Sequence, residues 1–282
     1  MNAVTLTVAA VALSASAAPR GSAELDIRDF GAGVLAAPAA NAKAVQNALD
    51  ECSRRGGGRV TVPAGVWRSG TIWLRSGVEL HLSEGAVLKA SDDLADYNAQ
   101  DAYPENSFSK REQWNGCHFI IAREASGFSI TGPGRVDGSG DAFFEDKPSV
   151  LNPTATRWMY GQRQARDKKN LRPGQLISLI RCRDIFVGDG LMVTNSPCWS
   201  LFFYGCSNVV VRGYKVRNGR SDGNTDGMDI DCSCDVTVSD ADIVTGDDGI
   251  AIRASGRHSS AARPRRHRAS ASAFRAARSR RR

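Results

Sequence analysis

Five times along the chain a small or polar residue introduces an apolar-x-apolar segment that ends in a tight turn. The five are Gly77-Val78-Glu79-Leu80-His81-Leu82, Gly127-Phe128-Ser129-Ile130, Asp184-Ile185-Phe186-Val187, Asn208-Val209-Val210-Val211 and Asp235-Val236-Thr237-Val238. The last three anchors, Asp184, Asn208 and Asp235, lie 24 and 27 residues apart. The first two lie 50 apart, about two such periods, and the 57 residues from Gly127 to Asp184 contain a polar insertion over 141–174. Short strands at a period of roughly 20–27 residues are the signature of a solenoid. A leucine-rich repeat is the main rival, but the Leu-x-x-Leu-x-Leu ladder is absent and no helical pattern separates the strands. The pattern predicts an all-β right-handed parallel β-helix, in which residues one period apart stack at a spacing of ~4.8 Å. Cys182 and Cys206, 24 apart, would then stack in the core, as buried thiols or as a disulfide.

The N-terminal part differs. Ala44, Val45, Ala48, Leu49 and Cys52 recur at helical spacing, which predicts one amphipathic helix over 41–53, stopped by Gly56-Gly57-Gly58. Before it, Asp26 to Gly31 reads as a short strand ending at glycine. The 28 glycines, spread along the chain, fit a turn-rich β protein.

Charge divides the chain. The whole carries 37 basic and 30 acidic side chains, a net +7. Residues 257–282 hold ten Arg and no acid, so the remainder has 27 basic against 30 acidic, or −3. The basic balance belongs to the tail, which removes the main support for a nucleic-acid-binding protein. Three regions follow: a possible signal segment at 1–20, a β-helix over 21–253 and an Arg-rich tail over 254–282. The first is apolar and small and resembles a secretory h-region before an Ala-x-Ala site at Ala15-Ser16-Ala17, although no Lys or Arg precedes it. Export, to the exterior or the periplasm, is expected. No later stretch has the ~20 apolar residues of a membrane span. The tail lacks apolar periodicity and reads as a shifted reading frame or a disordered basic extension. Seven Cys leave at least one thiol unpaired within the chain.

Acidic residues concentrate in Ser221-Asp222-Gly223-Asn224-Thr225-Asp226-Gly227-Met228-Asp229-Ile230-Asp231. Twenty-one residues beyond Asp226 stands the pair Asp247–Asp248, within Gly246-Asp247-Asp248-Gly249. One coil apart in a solenoid, the three would share a face, and their mutual repulsion would raise at least one pKa. Glycoside hydrolysis needs such a set: an acid for the leaving oxygen and a carboxylate for the water. Residue types alone leave a calcium site and solvated turn aspartates open as well.

Asn224-Thr225-Asp226 and Gly246-Asp247-Asp248, each at the head of a strand, resemble the first two signature motifs of the family 28 glycoside hydrolases, the polygalacturonases. The likeness runs over about 24–253. It includes Asp29-Phe30-Gly31, Val62-Pro63-Ala64-Gly65, Ser69-Gly70-Thr71-Ile72, Gly132-Pro133-Gly134 with Asp137-Gly138, and Asn195-Ser196-Pro197 with Trp199. It implies hydrolysis of galacturonan-type pectin with inversion, without metal or organic cofactor. The polysaccharide is the partner, with no nucleic acid or membrane, and the complete protein is a monomer. In that resemblance Asp247 is the general acid, Asp226 and Asp248 hold and activate the water, and Asn224 orients its neighbours. Two motifs are missing. No Gly-His-Gly follows the Asp pair, His258 and His267 lacking glycine on both sides, and no Arg-x-Lys strand follows. Their absence puts catalysis by this chain in doubt and keeps a noncatalytic polysaccharide binder as an alternative. A calcium-dependent lyase on the same fold is a further rival. Trp73 and Trp199 are expected to pack rather than to stack sugars, and His81 and His118 to be structural.

Overall fold

The structure, a computed structural model, describes residues 21–104, 116–145, 158–159, 172–219, 223–253, 269–272 and 275–276. Three parallel sheets run side by side along a solenoid. The long sheet has eight strands in the order Ala23–Asp26, Gly58–Val62, Val78–Leu82, Ser126–Thr131, Arg183–Gly188, Ser207–Arg212, Cys234–Ser239 and Ala269–Ser272. All five repeat segments stand in it. The second sheet has seven strands, from Gly65–Ser69 to Arg275–Ala276. The third, here the site sheet, has six: Ile72–Trp73, Ile120–Arg123, Ile177–Ile180, Leu201–Tyr204, Met228–Asp231 and Ile250–Arg253. The expected parallel β-helix is the observed fold.

The period follows from strand alternation. Ile185, Val209 and Val236 are in register on successive coils, as are Val187, Val211 and Val238, which reproduces the 24- and 27-residue spacings. Their inward faces join the 0%-exposed Val193, Val216, Ile120, Ile177, Leu201 and Phe203 from the other two sheets in one continuous core. One interval is corrected. Leu80 pairs directly with Ile130, so the 50-residue step is one coil with a long excursion and not two periods. A coil is closed by its backbone ladder, and a turn that leaves the stack adds sequence without adding a rung. The 57-residue step is likewise one coil, Ile130 pairing with Val187. Within its insertion a 3₁₀ turn at Gly140–Phe143 and an antiparallel pair, Phe144–Glu145 with Trp158–Met159, are described.

The helix spans Pro38–Arg54, three residues earlier than expected, because Pro38 can occupy its first turn without loss of a hydrogen bond. All five predicted apolar positions are buried against the first coil. At its end the Gly57 N–H donates to the Cys52 carbonyl, 2.9 Å. The segment read as a strand from Asp26 to Gly31 is instead a strand ending at Asp26 and a 3₁₀ turn, Ile27–Phe30. Asp26 caps that turn through the Arg28 N–H, 2.8 Å, which turns the chain away from the sheet. Cys182 and Cys206 stack on successive coils as buried free thiols, their S–H groups donating to Ile180 and Leu179 carbonyls at 3.2 Å.

Two pieces of the Arg-rich tail pair as strands, Ala269–Ser272 with Val236–Ser239 and Arg275–Ala276 with Asp242–Ile243. No apolar alternation announces them. An open parallel edge offers unpaired N–H and C=O groups, and backbone pairing to it needs no particular side chain. The possible signal segment and the rest of 254–282, with His258 and His267, lie outside the described residues. Among those described, no helix is long and apolar enough to cross a membrane.

Coil spacing leaves no room at Gly188, where φ is +148° and an added Cβ would lie 1.8 Å from the Arg212 carbonyl oxygen of the next coil. Gly188→Ala is expected to cost about 3 kcal/mol, read as a lower midpoint in urea unfolding. An unchanged midpoint would contradict the close packing of these coils.

Candidate active site

The site is assembled by register. Met228 pairs with Ile250. Asp226 and Asp248 each precede the strand by two residues, so they lie on neighbouring coils, and the Gly227 N–H donates to the Asp248 carbonyl at 2.9 Å. Asp226 is 3% exposed, while Asp247 and Asp248 are exposed. Asn224 takes a left-handed conformation, φ 55°, and its backbone N–H donates to Asp247 Oδ2 at 2.9 Å. Thr245 braces Asp247 from below: its hydroxyl accepts from the Asp247 N–H at 3.0 Å and donates to the Asp247 carbonyl at 2.9 Å. All four predicted site residues are thus brought together at one end of the site sheet.

Their electrostatics are those of crowded acids in a dry place. Burial, then the nearby charges of Asp247 and Asp248, push Asp226 up to about 7, against a smaller opposing effect of Arg253. Burial, then Asp226, push Asp229 up to about 8. The expected raised carboxyl therefore falls on Asp226 and on a residue the motif reading passed over. Asp229 is 0% exposed, on the same outward-pointing alternation as Asp231. That alternation within Met228–Asp231 is the signal that could have singled it out.

Two further residues carry no sequence signal. Asn218, 7% exposed, donates from Nδ2 to Ser200 Oγ (2.8 Å) and the Thr225 carbonyl (2.9 Å), and accepts from the Ser196 N–H (3.0 Å). It ties the turn that carries Asp226 to the Asn195-Ser196-Pro197 turn one coil earlier. Asn218→Ala is expected to destabilise by about 3 kcal/mol, because it strips the partner from a buried carbonyl and a buried N–H together. Urea unfolding measures this, and a loss under 0.5 kcal/mol would remove Asn218 from the frame of the site. The second residue is Arg253. Its Nη2 lies 3.1 Å from Asp229 Oδ1 and 4.0 Å from Asp226 Oδ2, and its guanidinium carbon lies 4.2 Å from the centre of the Trp199 ring.

Trp199 is 2% exposed and packs with Phe202 at a ring separation of 5.5 Å. Trp73 packs against the same aromatic cluster. His118 is buried with Nδ1 2.9 Å from the Gln175 carbonyl, and His81 Nδ1 lies 2.9 Å from Thr131 Oγ1. These are structural roles, as expected. Among the described residues no group of three or more His, Cys, Asp or Glu is arranged to hold a metal ion. Distant motifs also meet: a Cβ on Gly138 would stand 2.7 Å from the Asn195 carbonyl, which explains why glycine follows Asp137 there.

Carboxylates grouped at adjacent coil turns, outside one sheet of a parallel β-helix, are placed to give and take protons. The family profile described as Glycosyl hydrolases family 28 matches residues 52–261. The chain therefore belongs to glycosyl hydrolase family 28. It is similar to a probable polygalacturonase of Vitis vinifera, 31% identical over 232 residues that cover 80% of this chain and 43% of the relative. It is also similar to an endo-polygalacturonase of Pectobacterium parmentieri, 28% identical over 215 residues, 74% of this chain and 50% of that one. Among solved structures, an exopolygalacturonase of Thermotoga maritima matches with TM-score 0.66 and 22% identity, covering 84% of this chain and 56% of that one. The chain spans about half the length of the relatives it matches in sequence.

Proposed function

We propose that this chain hydrolyses glycosidic bonds of galacturonan-type pectin with inversion. The observation that carries the reading is the grouping of Asp226, Asp247 and Asp248 on two successive coils. Family membership and the names of the relatives supply the substrate class. Asp247, exposed and held through the Asn224 N–H, is the acid that protonates the leaving oxygen. Asp226 and Asp248 hold and activate the water on the opposite face of the sugar. Asn224 is a positioning residue, acting through its backbone. The work is done outside the cell or in the periplasm, where a polymer of this size is met.

The test is to incubate the full chain with polygalacturonate and to follow reducing ends, the anomer first formed, and ultraviolet absorbance. Release of reducing ends with the inverted anomer and no absorbance supports the reading. Absorbing, unsaturated ends would replace it with a lyase. A second reading, binding without turnover, is favoured by one observation: no glycine-flanked His and no Arg-x-Lys follow the Asp pair. Retardation of the chain in pectin-containing gels without new reducing ends would establish that reading instead.

A further inference from the structure

Asp229 and Arg253 are not used by the reaction proposed above, yet they form the most buried charged contact beside it. Ala251 pairs with Asp229 on the next coil, and Arg253 pairs with Asp231. From that position the Arg253 guanidinium reaches back to Asp229, Nη2 lying 3.1 Å from Oδ1. Trp199, on the coil before Asp226, is the floor on which it rests: the Ser200 N–H donates to the Asp226 carbonyl at 2.8 Å, which sets Trp199 directly beneath Asp226.

We propose that Arg253, lying over Trp199, is a positioning residue that makes Asp226 and Asp229 share one negative charge at neutral pH and aims the Asp226 carboxylate. The charge count leads there. Two carboxyls, 3% and 0% exposed, flank one guanidinium at 4.0 and 3.1 Å. Among the described residues, the ion pairs of both are to Arg253. The other charges acting on them are those of Asp247 and Asp248, which are negative; the neighbouring Cys198 thiol is neutral because burial pushes it up to about 12, and Arg172, beside that thiol, donates to the Pro197 carbonyl. One cation compensates one buried anion, and a second anion in the same dry place takes a proton instead. Neither oxygen of Asp229 has a hydrogen bond of good geometry. A shared proton resolves that deficit, because a neutral carboxyl needs far less compensation than a carboxylate. Arginine suits the place where lysine would not, since its planar group reaches two acids while stacking on a ring.

The catalytic consequence rests on the proposed hydrolysis; the shared charge does not. The test is a ¹³C NMR titration of the full chain labelled at aspartate Cγ, with Asp226→Asn and Asp229→Asn assigning the two signals. The wild-type chain is expected to show both titrating as a coupled pair near neutral pH. Arg253→Met is expected to raise both apparent midpoints by about one pH unit, tenfold in proton affinity. Arg253→Lys, which keeps the charge and the stem, folds where the Met variant does not and gives a smaller shift in the same direction. Unchanged midpoints in a folded Met or Lys variant, or two midpoints in the wild type that ignore each other's substitution, overturn the proposal. A chain that titrates as expected but releases no reducing ends leaves this inference standing and removes the hydrolase reading.

Discussion

Asp247→Asn lowers the release of reducing ends from polygalacturonate by about 10²- to 10⁴-fold, with KM changed only a few-fold. That is the usual range for the loss of a general acid. The fold tolerates the change. Asp247 is exposed, its accepted hydrogen bond comes from the Asn224 backbone, and asparagine keeps one oxygen to receive it. The Thr245 hydroxyl bonds to the Asp247 backbone and is indifferent to the side chain. Asp240→Asn is the control, an exposed acid two coil segments away whose left-handed φ of 53° suits asparagine, and it retains full activity. An active Asp247→Asn enzyme would take the acid role from Asp247 and leave the buried Asp226 as the proton donor.

Thermal stability is greatest near about pH 4 to 4.5 and falls toward both sides, more steeply on the alkaline one. Asp226 and Asp229 hold folded-state pKa values of about 7 and about 8, above the ordinary 3.8. Between about pH 4 and 8 the folded chain therefore keeps protons that the unfolded chain releases. Their contribution is complete below about pH 4 and is lost as pH climbs through 7 and 8. For two acids this buried the loss is several kcal/mol, on the order of 5 to 10. Glu79 acts in the opposite sense. Burial alone would raise it, but hydrogen bonds with His81, Thr131 and Arg59 together outweigh that and hold it at about 2. Its contribution is present above about pH 4.5 and disappears in strong acid. Melting temperatures from pH 3 to 9 test both limbs, and Asp229→Asn flattens the alkaline one. A melting temperature level from pH 5 to 8 would show that the two acids are not buried as described.

The repeat was readable because a coil of this fold repeats its local pattern. Apolar alternation in Ile185–Val187, Val209–Val211 and Val236–Val238 is imposed by a core that each coil enters alike. Where turns leave the stack, as between Leu80 and Ile130, sequence distance stops measuring rungs, and the two-coil reading failed for that reason. The helix face was legible from spacing, its true start only with Pro38 in view. Asn224, Asp226, Asp247 and Asp248 stood out because acids and turn residues gather in two short runs one period apart. Asn218 and Arg253 did not, since neither belongs to a run and each acts through partners on other coils.

The sequence by itself determined the period, the all-β solenoid and the two acidic turns that one coil brings together. These follow from local alternation and from a spacing that matches a rung. Only the tertiary structure decided which acid is dry, that a guanidinium lies between Asp226 and Asp229, and that Trp199 holds it there. Burial and charge pairing across coils depend on which side chains face each other over ~4.8 Å of stacking, and a one-residue change of register would exchange inside for outside.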